Sequence, residues 1–447
     1  MKKILIKNAN IVNEGKVFEG DVYIENDIIV EVADSISAKS QDVQVYDAEG
    51  KYLLPGVIDD QVHFREPGLT HKEDIEHGSK AAIAGGITSF IEMPNTIPQT
   101  TTIEKLEEKF AIAAEKAYAN YSFMFGGTND NLEEIKKVNP KTTAALKLFL
   151  GSSTGNMLVD DEKVLEQIFK HSPLLIAAHC EDEQTIKDNL AKYKEEFGDD
   201  IPIIYHPEIR SEEACYISSS RAVALAKKTG ARLHVFHLST AKELALFSNK
   251  KPLKDKKITA EVCIHHLWFN NEQYNEKGTH IKWNPAVKTK KDQEALFKAL
   301  LDDKLDVIAT DHAPHTKEEK NNVYTKAPSG GPLVQHALPA MLEFYHKGKI
   351  SLEKIVEKMC HNPAILFEIE KRGYIKEGYK ADLVLVDLNA PWTVQSDNIL
   401  YKCGWSPFEK TTFRSRITHT FVNGKLVYKN FKVLGVRNAE RLTFDRS

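Results

Sequence analysis

A chain of 447 residues, 42% hydrophobic and 28% charged, carries ample apolar surface for a large core, which excludes a disordered polymer. Its 60 Lys plus Arg against 64 Asp plus Glu leave a formal charge of −4, without the basic footprint of a nucleic-acid binder or of a protein drawn to acidic membranes. The five cysteines (Cys180, Cys215, Cys263, Cys360, Cys403) show no CxxC spacing, so neither a disulfide framework nor a cysteine zinc site is expected.

The opening MKKILIKNANIVNEGK turns polar too early for a signal peptide, and no run reaches transmembrane length. The expectation is a cytoplasmic enzyme with a small-molecule substrate. Residues 1–54 alternate apolar and polar, as in Asp21-Val22-Tyr23-Ile24 and Ile28-Ile29-Val30-Glu31-Val32, with turn residues between, which predicts a small antiparallel β unit. The far end is similar: Leu383-Val384-Leu385-Val386 reads as a strand, and Asn423-Gly424 between apolar runs reads as a hairpin. One composite β-domain from residues 1–54 and 366–447 is predicted, with 439–447 either a docking tail or frayed.

Residues 55–365 behave differently. Apolar runs of strand length, such as Thr88-Ser89-Phe90-Ile91, Leu146-Lys147-Leu148-Phe149 and Val307-Ile308-Ala309, alternate with amphipathic segments at 102–119 and 291–301. This α/β alternation implies a parallel sheet covered by helices, and its length fits a (β/α)8 TIM-type barrel.

Several of these runs end in a metal-type ligand: His63, Lys147, His179, His237 and Asp311. The C-terminal strand ends of a barrel converge on one mouth, and imidazoles plus carboxylates around an open position suit a hydrolytic zinc. The steps from 147 to 179, 237 and 311 read as one, two, and two or three βα units. Each residue has an ordinary reading too: a hydrogen-bonded core histidine, an ion-paired Lys147, a turn-capping Asp311. Lys147 inside an apolar run is also a candidate for carboxylation by CO2, since a desolvated lysine is neutral. Arg65 is either a surface salt bridge or a clamp on a substrate carboxylate. Asn95 is a turn residue or a substrate ligand; His312 and His315 are loop residues or site residues. The stretch Ser329-Gly330-Gly331-Pro332 allows close backbone approach but is a poor phosphate loop.

Taken together, Leu54-Pro55-Gly56-Val57-Ile58-Asp59, Val62-His63-Phe64-Arg65-Glu66-Pro67-Gly68, Met93-Pro94-Asn95-Thr96, His179-Cys180-Glu181-Asp182, His237-Leu238-Ser239-Thr240-Ala241, Glu261-Val262-Cys263-Ile264-His265-His266-Leu267, Asn284-Pro285-Ala286-Val287 and Ala309-Thr310-Asp311-His312-Ala313-Pro314-His315 closely resemble the motifs of the dihydroorotases, within the cyclic amidohydrolase superfamily. The resemblance implies a zinc site of His63, a carboxylated Lys147 bridging two metals, His179, His237 and Asp311, with Asp311 as general acid/base. It implies that Arg65, Asn95, Asn284 and His315 hold the substrate, with the backbone at Gly330 and Gly331 closing over it. The implied reaction is the reversible closure of N-carbamoyl-L-aspartate to L-dihydroorotate in pyrimidine synthesis, carried out by a homodimer.

One departure stands out. The family's His-x-His is Gln61-Val62-His63 here, and a glutamine carbonyl is a weaker zinc ligand than imidazole. The zinc at Lys147, His179 and His237 keeps every ligand; the second, beside Gln61, is loosely held, completed by water, or absent. Two other readings stay open. Allantoinases and dihydropyrimidinases share the metal set, but their rings lack the carboxylate that Arg65 would grip. A catalytically inactive dihydroorotase-like partner subunit fits Gln61 and fits poorly with the retained ligands.

Overall fold

The computed structural model describes residues 3–38, 42–151 and 157–446. The alternating N-terminal stretch folds as β1 (Lys3–Asn13), β2 (Lys16–Glu25), β3 (Ile28–Ala33), β4 (Val43–Asp47) and β5 (Tyr52–Pro55). Glu14 and Gly15, both at positive φ, make the tight turn from β1 to β2. β5 pairs antiparallel with Leu383–Asp387, and Arg416–Val422, Lys425–Lys429 and Lys432–Val433 extend the same sheet to nine strands. The two ends of the chain therefore share one sheet, with Ile4, Ile6, Ile11, Leu53, Leu383 and Leu385 in one core beneath it. The sheet is mixed rather than purely antiparallel, because β1 runs parallel to both β4 and β5.

The barrel follows at once. Its strands are β6 (Val57–Val62), β7 (Ile87–Glu92), β8 (Asn120–Phe123) continued by β9 (Phe125–Gly126), β10 (Leu146–Phe149), β11 (Ile176–His179), β12 (Leu233–Val235), β13 (Ile258–Cys263) and β14 (Val307–Ala309). Parallel pairing runs β6–β7–β8 and then β9 through β14, and a bridge from Val62 to His312 closes the ring. With β8 and β9 as one strand interrupted at Met124, the barrel has the expected eight. β11 and β12 are adjacent strands, so His179 and His237 lie one βα unit apart rather than two. The extra length goes into a connection that holds Glu183–Phe197, the short segments Ile203–Tyr205 and His206–Ile209, and Glu212–Thr229 where one helix would serve.

The last residues dock. Tyr121 N–H donates to Glu440 O (3.0 Å) and Leu442 N–H to Tyr121 O (2.9 Å). Leu442 and Phe444 are buried with Leu366, Phe367 and the strand-start residues Ile58, Ala145, Leu175 and Val307, stoppering the N-terminal end of the barrel. Residues 388–413 leave the terminal sheet and pack on the opposite end, where Trp405 Nε1–H donates to His315 O at 2.7 Å. No described helix is long and apolar enough to cross a membrane.

Candidate active site

His63, Lys147, His179, His237 and Asp311 line one cavity at the C-terminal mouth of the barrel, together with Gln61, Arg65, Asn95, Asn284 and Gly330. Gly331 does not line it: its carbonyl pairs with Ala313 N–H behind the wall. His315 does not line it either and sits behind Arg65. Three of the residues at strand ends, Arg65 (φ 65°), His237 (φ 39°) and Asp311 (φ 48°), are held in the left-handed region. That conformation costs about 1–3 kcal/mol each outside glycine and concentrates where a side chain must be aimed.

The imidazoles are oriented so that they could hold a metal. His63 Nδ1 is 2.9 Å from Asn95 Oδ1, so the amide oxygen accepts and the ring hydrogen sits on Nδ1. Nε2 then faces Asp311 Oδ1 at 3.1 Å, a lone pair against a carboxylate oxygen. His179 Nδ1 lies 3.0 Å from His237 Nε2. His179 Nε2 points the other way, 3.1 Å from Glu181 Oε2, and that buried carboxylate is itself gripped by Arg210. A carboxylate behind an imidazole is the usual outer support of a metal ligand. Both separations approach the roughly 3.3 Å edge of a tetrahedral zinc site with bonds near 2.0 Å. Burial, reinforced by Arg65 and Lys147, keeps His63 well below the ordinary imidazole range, and burial next to His179 does the same for His237, so both are in the neutral form that metals bind. The donor set therefore fits a divalent metal.

Lys147 is 1% exposed, and its ammonium lies over Phe236 and Phe149, 3.9 and 4.8 Å from the ring centroids. Among the described residues no carboxylate is within ion-pair distance of it. Burial pushes its pKa down to about 7, against the pull of Asp311 and Glu261. Burial also pushes the Asp311 carboxyl up to about 7, opposed by Lys147, His179 and Arg65. Gln61 is engaged elsewhere: its Oε1 accepts the Cys263 thiol at 3.5 Å.

Arg65 is 2% exposed and its Nε donates to Pro314 O at 3.2 Å. Lys72 Nζ, a donor only, lies 3.0 Å from His315 Nδ1, so His315 carries its hydrogen on Nε2 and donates it to Ser329 O at 3.0 Å. That leaves the Arg65 Nη2 contact with the same nitrogen, 3.2 Å, as packing rather than a hydrogen bond. Among the described residues, no carboxylate forms an ion pair with this buried guanidinium.

An amidohydrolase family model matches residues 52–427. The dihydroorotase of Carboxydothermus hydrogenoformans is 36% identical over 443 residues, covering 95% of this chain and 98% of its own. That of Methanosarcina acetivorans is 34% identical, covering 92% and 88%. The chain belongs to the dihydroorotases of the amidohydrolase family. Among solved structures, the L-hydantoinase (dihydropyrimidinase) of Arthrobacter aurescens superposes with a TM-score of 0.93 at 27% identity, covering 99% of this chain and all of that one.

In this dihydroorotase-family chain, several supporting groups had no strong sequence signal. Lys320 and Lys282 are buried lysines without an ion pair among the described residues. Lys320 Nζ donates to Gly330 O (2.8 Å), Pro328 O (2.9 Å) and Lys282 O (3.3 Å). Lys282 Nζ donates to Tyr324 O and Ala327 O, both at 2.6 Å. Together they pin the backbone of residues 324–330 against the mouth. Gly330 is required there: at φ 130° a Cβ would meet Ala313 O at 2.4 Å. Lys320→Met removes the donor from three carbonyls, so KM is expected to rise about tenfold with kcat changed much less, alongside a loss of roughly 1–3 kcal/mol in stability. Steady-state kinetics and thermal melting check this; unchanged KM would remove Lys320 from the positioning role.

Proposed function

We propose that this chain interconverts L-dihydroorotate and N-carbamoyl-L-aspartate, the ring-closing step of pyrimidine synthesis, with zinc at the mouth of the barrel and Lys147 carboxylated. The observation that carries the substrate choice is Arg65: a buried guanidinium on the cavity wall with no carboxylate ion-paired to it among the described residues. An unpaired buried charge is costly, and a substrate carboxylate supplies the missing partner. Asn284 Oδ1, also buried and without a hydrogen-bond partner, offers an acceptor to a ring N–H on the same wall.

Carboxylated Lys147, His179 and His237 would hold one zinc, with His63 and Asp311 available to a second. When bound, zinc supplies a Lewis acid for the scissile carbonyl and acidifies water. The chain supplies the rest. Arg65 fixes the substrate through its carboxylate, and the pinned 324–330 segment keeps Gly330 against it. Asp311 moves the proton: in the hydrolytic direction it gives one to the leaving amide nitrogen, and in ring closure it takes one from that nitrogen. Asn95 acts through His63, holding its tautomer, in addition to lining the cavity.

A hydantoinase or dihydropyrimidinase reading has the fold behind it, and Arg65 separates the two. Arg65→Met should raise KM for dihydroorotate by about 10–100-fold, the loss of a charge-assisted contact worth roughly 1.5–3 kcal/mol, and leave neutral hydantoins nearly unaffected. Kinetics on both substrates, with and without chelator, decide the matter: equal losses on the two, or hydrolysis of hydantoins alone, would overturn the assignment.

A further inference from the structure

Below the mouth, the barrel interior holds three ionisable side chains outside the reaction just described. Asp60 on β6, His234 on β12 and Glu261 on β13 are each 0% exposed. One ligand atom from each falls within 4.8 Å of the other two. Asp60 reaches this interior position at the irregularity in β6, where the register against β7 shifts between Asp59 and Val62.

Two features of this cluster point to a ligand. First, both Asp60 oxygens are buried without a hydrogen bond. The contacts with His234 are long: Nε2 is 3.3 Å from Glu261 Oε2 and 3.6 Å from Asp60 Oδ2. A charge-assisted N–H···O bond closes to about 2.7–2.9 Å, whereas ligand atoms sharing a tetrahedral ion at 2.0–2.2 Å stand about 3.3–3.6 Å apart. Second, the ring is set for ligation. Thr259 Oγ1 donates to Leu233 O (3.3 Å), so towards His234 Nδ1, 2.9 Å away, it accepts. The ring is thereby held with Nε2 aimed at two carboxylates. A hydroxyl behind a metal-bound histidine fixes its orientation in the same way.

We propose that Asp60, His234 and Glu261 bind a divalent transition metal of the zinc class inside the barrel, separate from any ion at the mouth. In this structure, against the effect of burial, Asp60 and Glu261 push the His234 imidazole up to about 9; a dication displaces that proton, and two carboxylates with the neutral imidazole then balance its charge where water does not reach. The site touches the mouth through the backbone, since Glu261 Oε1 accepts His237 N–H at 3.1 Å. With all three ligands enclosed, the ion enters as the chain folds and exchanges slowly.

Crystals of the as-isolated protein, measured on both sides of the zinc absorption edge, should show an anomalous peak bounded by Asp60, His234 and Glu261. Metal analysis after dialysis against a chelator should retain one ion per chain in the wild type and none in Asp60→Asn or Glu261→Gln. No peak at this position, whatever is found at the mouth, overturns the proposal in favour of a protonated His234. So does an Asp60→Asn protein that keeps its chelator-resistant ion. Should the variants fail to fold, the wild-type crystal alone decides. A peak here with none at the mouth would refute the catalytic-metal reading and leave this one standing.

Discussion

Asp311→Asn lowers kcat for dihydroorotate hydrolysis by about 10²–10⁴-fold, the range expected when a positioned acid/base is removed. The side chain sits at a strand end in the left-handed region, 3.1 Å from His63 Nε2, with burial pushing its carboxyl up to about 7. A carboxyl at that place on the cavity wall can give up a proton and take one back, as a reversible ring closure demands. Asparagine keeps the volume and can donate to the His63 lone pair, so the cavity survives while the proton carrier is lost. Metal content measured on the same sample separates loss of the carrier from loss of an ion. A kcat within tenfold of wild type, at equal metal content, would leave the proton transfer to another group.

Lys147→Met should abolish both turnover and metal retention at the mouth, with activity falling by more than about 10³-fold because the site acts as a unit. The amine lies buried between Phe236 and Phe149, which holds its pKa near 7 and leaves much of it neutral at physiological pH. A neutral amine attacks the carbon of CO2, forms an N–C bond and releases a proton, leaving a carbamate anion on Nζ. That step turns a buried neutral amine into a buried anion, which needs a metal to neutralise it. Methionine fills the same slot against the two rings, so the fold should persist. Native mass spectrometry should find the wild type heavier by one CO2 and the variant not. A metal-loaded, active Lys147→Met protein would sink the carboxylation outright.

Much of this site was legible because a barrel writes its chemistry at strand ends. His63, His179 and His237 each close an apolar run, and Asp311 follows β14, so the topology alone brings them to one mouth. The composite sheet was legible from alternation at both ends of the chain, although the parallel pairing of β1 with β4 and β5 was not, since alternation does not fix strand direction. Spacing misled between 179 and 237, because additional helical segments lengthen one βα unit without adding a strand. His315 shares a motif with Asp311 yet packs behind Arg65, a distinction made by rotamers and neighbours rather than by sequence distance. Lys282 and Lys320 carry no periodic signal at all: their partners are backbone carbonyls, which every residue possesses. Asp60 was hidden by the irregularity in β6 between Asp59 and Val62, across which a strict alternation cannot be carried.

The shared terminal sheet has a consequence for how the nascent polypeptide matures. β5 is flanked by β1 on one side and by Leu383–Asp387 on the other. While the ribosome is still translating the barrel, β5 offers an open hydrogen-bonding edge, and the floor of the barrel lacks Leu442 and Phe444. Closure of both depends on contacts of very large sequence separation, which form late and slowly. The molecule therefore reaches its sealed state only after nearly all of it has been synthesised.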